Sequence, residues 1–184
     1  RKGIMPDKVI GDLDSFYGAR ESKEFSKDKI IRFSDQETND FEKCLKYCRD
    51  NNYTNILIIG FHGGQLEHTL NNWSVFRRYS MQLNLCVYDK GRYGLSQHED
   101  FYLETRKNEI ISLIPQPKAV IKTTGLQWEL NSESLSLGVR EGGRNIAKNN
   151  KISIEFFSGE LFVFFDHRLP YAPDHIKENN NENN

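Results

Sequence analysis

The hydrophobic pattern of this 184-residue chain changes its period near residue 92, and no other feature limits the possible folds as strongly. Before that point, short apolar runs alternate with amphipathic helical stretches. Residues 8–10, 29–33, 55–60 and 83–88 read as strands, and Phe41, Cys44, Leu45 and Cys48 recur at helical spacing between the second and third of them. That stripe leaves Glu42, Lys43, Lys46 and Arg49 for solvent, and Asn39 with Glu42 three residues on resembles a capping box. A second helix, marked by Leu66, Leu70, Trp73 and Phe76 or Arg77, is entered through Gly63-Gly64 directly after a strand. This alternation predicts a parallel α/β domain over residues 1–92. Beyond it, strands follow without long helices, at 101–105, 109–114, 120–124, 135–139, 152–157 and 161–165, with Ser158-Gly159-Glu160 as a compact hairpin turn between the last two. An antiparallel β-sandwich over 93–168 is expected. The Asn- and Glu-rich end offers nothing apolar to bury from 177 to 184, so 169–184 are expected to form a disordered tail.

At 37% hydrophobic residues, the chain has enough apolar mass for one medium domain or two small ones with real cores. Its 25 basic and 26 acidic side chains nearly cancel, and no basic run marks a nucleic-acid backbone site, which argues against DNA or RNA as partners. No apolar stretch approaches the ~20 residues of a membrane helix, and no signal peptide is visible. Cys44, Cys48 and Cys86 are odd in number and lie within apolar patterns, which suits buried reduced thiols, and hence a cytoplasmic location, better than a disulfide framework. The chain opens at Arg1 with its first strand only a few residues on, as expected of a processed product or of a chain lacking an upstream segment.

The chemistry-bearing residues cluster at the ends of the first two strands. Gly11-Asp12-Leu13-Asp14-Ser15 lets the chain turn where the first strand stops, and Asp12 and Asp14, one residue apart, can converge on a hard cation while leaving positions for water and phosphate oxygens. Asp40 is the third candidate anchor, and the set points to Mg²⁺-phosphate chemistry. Each acid also has a plainer reading. Asp14-Ser15 can form an Asx turn, and Asp40 can complement a helix dipole for about 0.3–1 kcal/mol. Gly63-Gly64 has no Lys at P-loop spacing, no Cys/His cluster has zinc spacing, and no Ser sits in a nucleophile elbow. His62 and His98 have no assigned role, and Trp128 reads as a core or interface aromatic.

Four blocks in order resemble the thiamine pyrophosphokinase (thiamine diphosphokinase) family, from about residue 3 to residue 165. Pro6-Asp7-Lys8-Val9-Ile10-Gly11-Asp12-Leu13-Asp14-Ser15 is similar to its segment ending Gly-Asp-x-Asp-Ser. Asp35-Gln36 through Asp40-Phe41 resembles Asp-Gln-x-x-Thr-Asp-Phe. Gly63-Gly64-Gln65-Leu66-Glu67-His68 resembles Gly-Gly-Arg-x-Asp-His, and Thr124-Gly125-Leu126-Gln127-Trp128-Glu129-Leu130 resembles Thr-Gly-Leu-Lys-(Trp or Tyr)-x-Leu.

The resemblance implies a Rossmann-like α/β domain binding ATP and Mg²⁺, a β-sandwich helping to form a thiamine pocket, and a homodimer with pockets between subunits. The implied reaction passes pyrophosphate from ATP to the thiamine hydroxyl, giving thiamine diphosphate and AMP. Asp12, Asp14 and Asp40 would be the metal ligands and, with Glu67, the catalytic set. Glu67 would orient thiamine or accept a proton, and the sequence leaves both roles open. Gln36, Asn39, His68, Arg144 and Asn145 are the expected substrate-binding residues. Departures fall where substrate should sit: Asn39 stands for Thr, Gln65 for Arg, Glu67 for Asp, and Arg144 for the Ser of a Ser-Asn pair completed by Asn145. An Arg beside a thiazolium cation is unfavourable unless it turns toward phosphate. A diphosphokinase for another primary alcohol, such as a pterin, is therefore the alternative enzyme, and a non-catalytic thiamine or nucleotide binder the alternative class. The family's upstream strand with Asp-Gly-Gly-x-Asn would precede Arg1.

Overall fold

A computed structural model describes residues 5–14, 16, 25–62, 64–167 and 176–178. They fall into two compact units, Arg1–Thr54 with Leu70–Leu83, and Asn55–Thr69 with Asn84–Asn184.

In the first unit, β1 (Val9–Gly11) pairs in parallel with β2 (Ile30–Arg32), and α1 (Asp40–Asp50) follows. Asn39 starts that helix, its Oδ1 accepting the Glu42 N–H at 2.8 Å, a cap of the kind worth about 1 kcal/mol. The reciprocal half of the expected capping box is absent, because the Glu42 carboxylate faces the other way. It accepts from Arg78 Nη2 at 3.0 Å and from the Tyr79 hydroxyl at 3.1 Å. Glu42 and Lys43 are both buried, which corrects the expectation that they face solvent. Buried charges persist where partners meet them, and α1 packs a polar edge alongside Leu45. Arg78 and Tyr79 come from α2 (Leu66–Ser80), whose buried face is Val75, Phe76 and Tyr79. Leu66 and Leu70, expected to mark that helix, are on it but exposed. Asn39 Nδ2 donates to Asn72 Oδ1 at 3.0 Å, tying the start of α1 to α2.

The second unit holds one nine-stranded sheet. β3 (Asn55–Ile59) pairs in parallel with β4 (Asn84–Asp89), and β5 (Arg92–Gln97) turns back antiparallel on β4. The four strands expected in one parallel α/β domain thus pair in parallel two by two, in separate sheets. After β6 (Phe101–Glu104) comes β7 (Ile110–Thr124), then β8 (Glu133–Ser136), β9 (Gly142–Ile146), β10 (Lys151–Asp166) and β11 (Ile176–Glu178). Strand order is β11-β6-β10-β5-β4-β3, with β7 pairing β10, β8 and β9. The chain is therefore mostly sheet with few helices among the described residues, an α/β part joined to a β-rich one. None of those helices is long and apolar enough to cross a membrane.

The expected strands 109–114 and 120–124 are one strand, β7, and 152–157 and 161–165 are one strand, β10. Ser158-Gly159-Glu160 is accordingly not a hairpin turn but the middle of β10. What looked like a turn is an irregularity in the ladder: Phe156 faces Ile121 and Ser158 faces Val120, leaving Phe157 as an extra residue. One added residue reverses which side chains face inward, so burial falls on Ile152 and Ile154 before it and on Leu161, Val163 and Phe165 after it. Gly159, at φ +87°, allows the local approach, since a Cβ there would run into the Lys118 carbonyl. Ile111, Leu113, Ala119 and Ile121 of β7 meet these residues with Leu95 and Leu103 in one core, where a fully buried aliphatic side chain contributes about 1.5–3 kcal/mol. β5 and β9 were not foreseen from sequence. Of the tail expected to be disordered, Ile176–Glu178 pair with Phe101–Leu103, and the remainder lies outside the described residues.

Candidate active site

Two of the three expected metal acids meet where β1 ends and α1 begins. The parallel pairing of β1 with β2 continues into a bond from the Phe33 N–H to the Gly11 carbonyl at 2.9 Å, which fixes the end of the strand. Asp40, the first residue of α1, lays its carboxylate against that end. A Cβ on Gly11 would lie 3.0 Å from Asp40 Oδ1, 3.1 Å from its Cγ and 3.2 Å from its Oδ2. Only glycine leaves that space open. The Asp12 N–H points to the same oxygen, Asp40 Oδ1, at 3.3 Å.

Asp12 turns the chain. Its Oδ1 accepts the Asp14 N–H at 3.1 Å, and between them Leu13 adopts φ +69°, a conformation uncommon for a side chain of this size. Leu13 is buried, so packing holds the turn in place and leaves Asp14 exposed at its tip. Ser15 and Gly63 lie outside the described residues.

The residue that sequence reading missed is Lys43. Only 2% exposed, it sends Nζ to Asp40 Oδ1 at 3.3 Å and toward Asp12 Oδ2 at 3.8 Å. A spacing of three residues between Asp40 and Lys43 on one helix face was the available signal. Among the described residues no three His, Cys, Asp or Glu side chains come together as a metal cluster. The three-acid convergence expected from spacing is thus two acids gathered on one lysine, with Asp14 beside them on the turn. Hard carboxylate oxygens remain the donor class that Mg²⁺ takes, and that ion characteristically uses one or two carboxylates plus substrate phosphates rather than a full protein cage.

Around this centre, Asp35 organises the loop before α1. It accepts the Glu37 N–H at 2.8 Å and the Thr38 hydroxyl at 2.7 Å, and the Thr38 bond leads the causes that hold its carboxyl below the ordinary range. Gln36, next to it, is exposed. Asn39 spends its side chain on the helix cap and on Asn72.

The remaining expected residues belong to the second unit. Glu67 and His68 are exposed in the first turn of α2, after Gly64 at φ +68°. Arg144 is exposed on β9 at φ +57°, its N–H donating to Ser112 Oγ at 3.0 Å. Asn145, by contrast, is buried and committed to the 124–130 loop. Its Oδ1 accepts the Trp128 N–H at 3.1 Å and the Ile146 N–H at 2.8 Å, while Nδ2 donates to the Trp128 carbonyl at 2.7 Å. Leu126 and Leu130 anchor that loop in the core, and Gly125 at φ +89° donates its N–H to Glu129 Oε1 at 3.0 Å. This bond leads the causes that lower the Glu129 carboxyl. Trp128 stands 58% exposed at the loop crest, which excludes the core half of its reading as a core or interface aromatic.

Comparison with known proteins places these features in one family. The model described as "Thiamin pyrophosphokinase, catalytic domain" matches residues 1–87, and "Thiamin pyrophosphokinase, vitamin B1 binding domain" matches residues 98–161. The chain is 30% identical over 179 residues to thiamine pyrophosphokinase 1 of Arabidopsis thaliana, covering 89% of this chain and 66% of the relative. It is also 30% identical over 170 residues to thiamine pyrophosphokinase 1 of Oryza sativa subsp. japonica, covering 84% of this chain and 64% of the relative. It thus spans just under two thirds of the length of these plant relatives. Among solved structures, thiamine pyrophosphokinase from Bacillus subtilis superposes with a TM-score of 0.77 at 21% identity, covering 91% of this chain and 81% of that one, a likeness of fold. The chain belongs to the thiamin pyrophosphokinase family.

Proposed function

We propose that this chain is a thiamine diphosphokinase, which transfers the pyrophosphoryl group of ATP to the primary hydroxyl of thiamine and releases AMP. The observation that carries the reading is the pair of family models in tandem, with the Asp12–Asp40 centre inside the catalytic one and the Asn145–Trp128 loop inside the vitamin-binding one. In this division a Rossmann-like domain over 1–92 handles ATP, a β-sandwich over 93–168 handles thiamine, and a homodimer supplies complete pockets.

In the reaction, a bond forms between the thiamine hydroxyl oxygen and the β-phosphorus as the bond from that phosphorus to the AMP oxygen breaks. The hydroxyl proton leaves with Glu67 or water as acceptor. Asp12, Asp14 and Asp40 would hold Mg²⁺, which when bound offsets the triphosphate charge that repels an incoming oxygen. The contribution of the chain itself is position. Gly11 and the Asp12 N–H fix the Asp40 carboxylate, and buried Leu13 fixes the turn that presents Asp14. Gln36, His68 and Arg144 are exposed polar groups suited to contacting substrates, and Asn39 and Asn145 set the backbone on which such contacts stand. Asp14→Asn tests the reading. It removes a carboxylate charge from an exposed turn, so AMP release should fall to background while the thermal unfolding midpoint stays in place. Unchanged turnover would exclude the metal role.

A further inference from the structure

The buried lysine beside the acids has no part in the scheme above, and its placement is informative. Lys43 is sealed from water on α1, yet the two carboxylates it reaches are open to solvent: side-chain exposure is 2% for Lys43, 31% for Asp12 and 60% for Asp40. An ordinary surface ion pair has its long cationic side chain in water and moving freely. Here the cation is the immobile member. The acids converge on it from two different elements, the loop after β1 and the first turn of α1, and the Asp12 N–H shares the oxygen Lys43 contacts on Asp40.

Resting on the proposed diphosphokinase reading, we infer that Lys43 is a positioning residue, a built-in counter-cation that holds Asp12 and Asp40 together and keeps a free divalent ion from binding them without the nucleotide. Two carboxylates facing each other alone repel and attract any dication from solution. With a fixed ammonium in contact, their combined charge falls from two negatives to one, and a dication must approach against a like charge a few ångströms away. A dication that arrives with polyphosphate oxygens brings its own anions to offset Lys43. The metal is thereby admitted with the nucleotide rather than before it.

The probe is Mn²⁺ alone, measured by paramagnetic resonance and calorimetry on the full chain. Lys43→Met, which keeps an unbranched side chain one atom shorter and removes its charge, should bind Mn²⁺ at least about tenfold more tightly than the unsubstituted chain, about 1.4 kcal/mol. Adding Asp12→Asn should cancel the gain, and Lys43→Arg should behave like the unsubstituted chain. If Lys43→Met or Lys43→Gln melts early, Mn²⁺ should raise its midpoint selectively. Equal Mn²⁺ affinity with and without Lys43 overturns the inference, as does a variant that stays unfolded with Mn²⁺ present, since that would make Lys43 an ordinary fold-holding ion pair. Failure of the underlying reading looks different: Mn-ATP would then bind the unsubstituted chain no better than it binds the Asp12→Asn variant.

Discussion

Replacing Gly11 by alanine should separate the candidate active site from the fold. Gly11 lies in β1 and has no left-handed backbone requirement, so alanine can adopt its conformation. Fewer unfolded conformations would then favour the variant by about 0.4–1 kcal/mol. Against this, the new methyl carbon would sit 3.0–3.2 Å from the Asp40 carboxylate, where ordinary contacts lie near 3.5–4.0 Å. The carboxylate must retreat by a few tenths of an ångström. Its side chain is 60% exposed and can shift toward solvent, and the cost is a weakening of its bonds from the Asp12 N–H and Lys43 Nζ, about 0.5–1.5 kcal/mol. The two effects nearly cancel, so urea unfolding should shift by less than about 1 kcal/mol. Catalysis has no such compensation. A displacement of 1 Å in a positioned group can cost about 10²-fold, and a shift of a few tenths should lower kcat/KM about tenfold in an AMP-release assay. Unchanged kcat/KM would show that Asp40 beside Gly11 is not part of the site, and a stability loss above about 3 kcal/mol would show that Gly11 is a requirement of the fold.

Two further expectations concern the Asn145 loop and the cysteine thiols. Asn145→Ala strands the Trp128 N–H and carbonyl and the Ile146 N–H, so denaturant unfolding should register a loss of about 1–3 kcal/mol; no loss would mean the loop holds itself without Asn145. Burial pushes the Cys86 thiol from 9.0 up to about 12 and the Cys44 thiol up to about 11. Below pH 9 both folded and unfolded thiols keep their protons. Above it the unfolded thiols ionise first, so stability should decline from pH 9 toward 11–12, and native Cys86 should resist alkylation at pH 8 that urea-unfolded chain undergoes. Rapid alkylation of Cys86 in the folded chain would contradict this placement.

Asp12 and Asp40 were legible because each is tied to a local signal, the Gly at a strand end and the acid behind an N-cap, and both signals survive into three dimensions. Lys43 was not, since helical periodicity sorts residues by polarity and assigns a lysine to water. Its burial depends on carboxylates 31 and 3 positions away, and the more distant of these is visible only once β1 is placed beside α1. In the β-rich part, residues 115–119 lie between two expected strands and Ser158-Gly159-Glu160 reads as a turn. β7 and β10 run through them because each strand's irregularity is matched by the other, with the extra residue at Phe157 and the further shift between Gly159 and Leu161. Local composition carries no information about such a pairing. Of the core and interface readings of Trp128 only the core one fails, for a related reason: Asn145 holds its backbone at the crest of a loop whose inward positions belong to Leu126 and Leu130.

The central claim is the reaction, and its direct test is AMP release from Mg-ATP by this chain with thiamine, with a pterin alcohol and with no acceptor, the organic product identified by mass. Thiamine-dependent AMP formed in equal amount with thiamine diphosphate is the predicted result. AMP only with the pterin alcohol, or no AMP from a folded chain that binds both ligands, would contradict it.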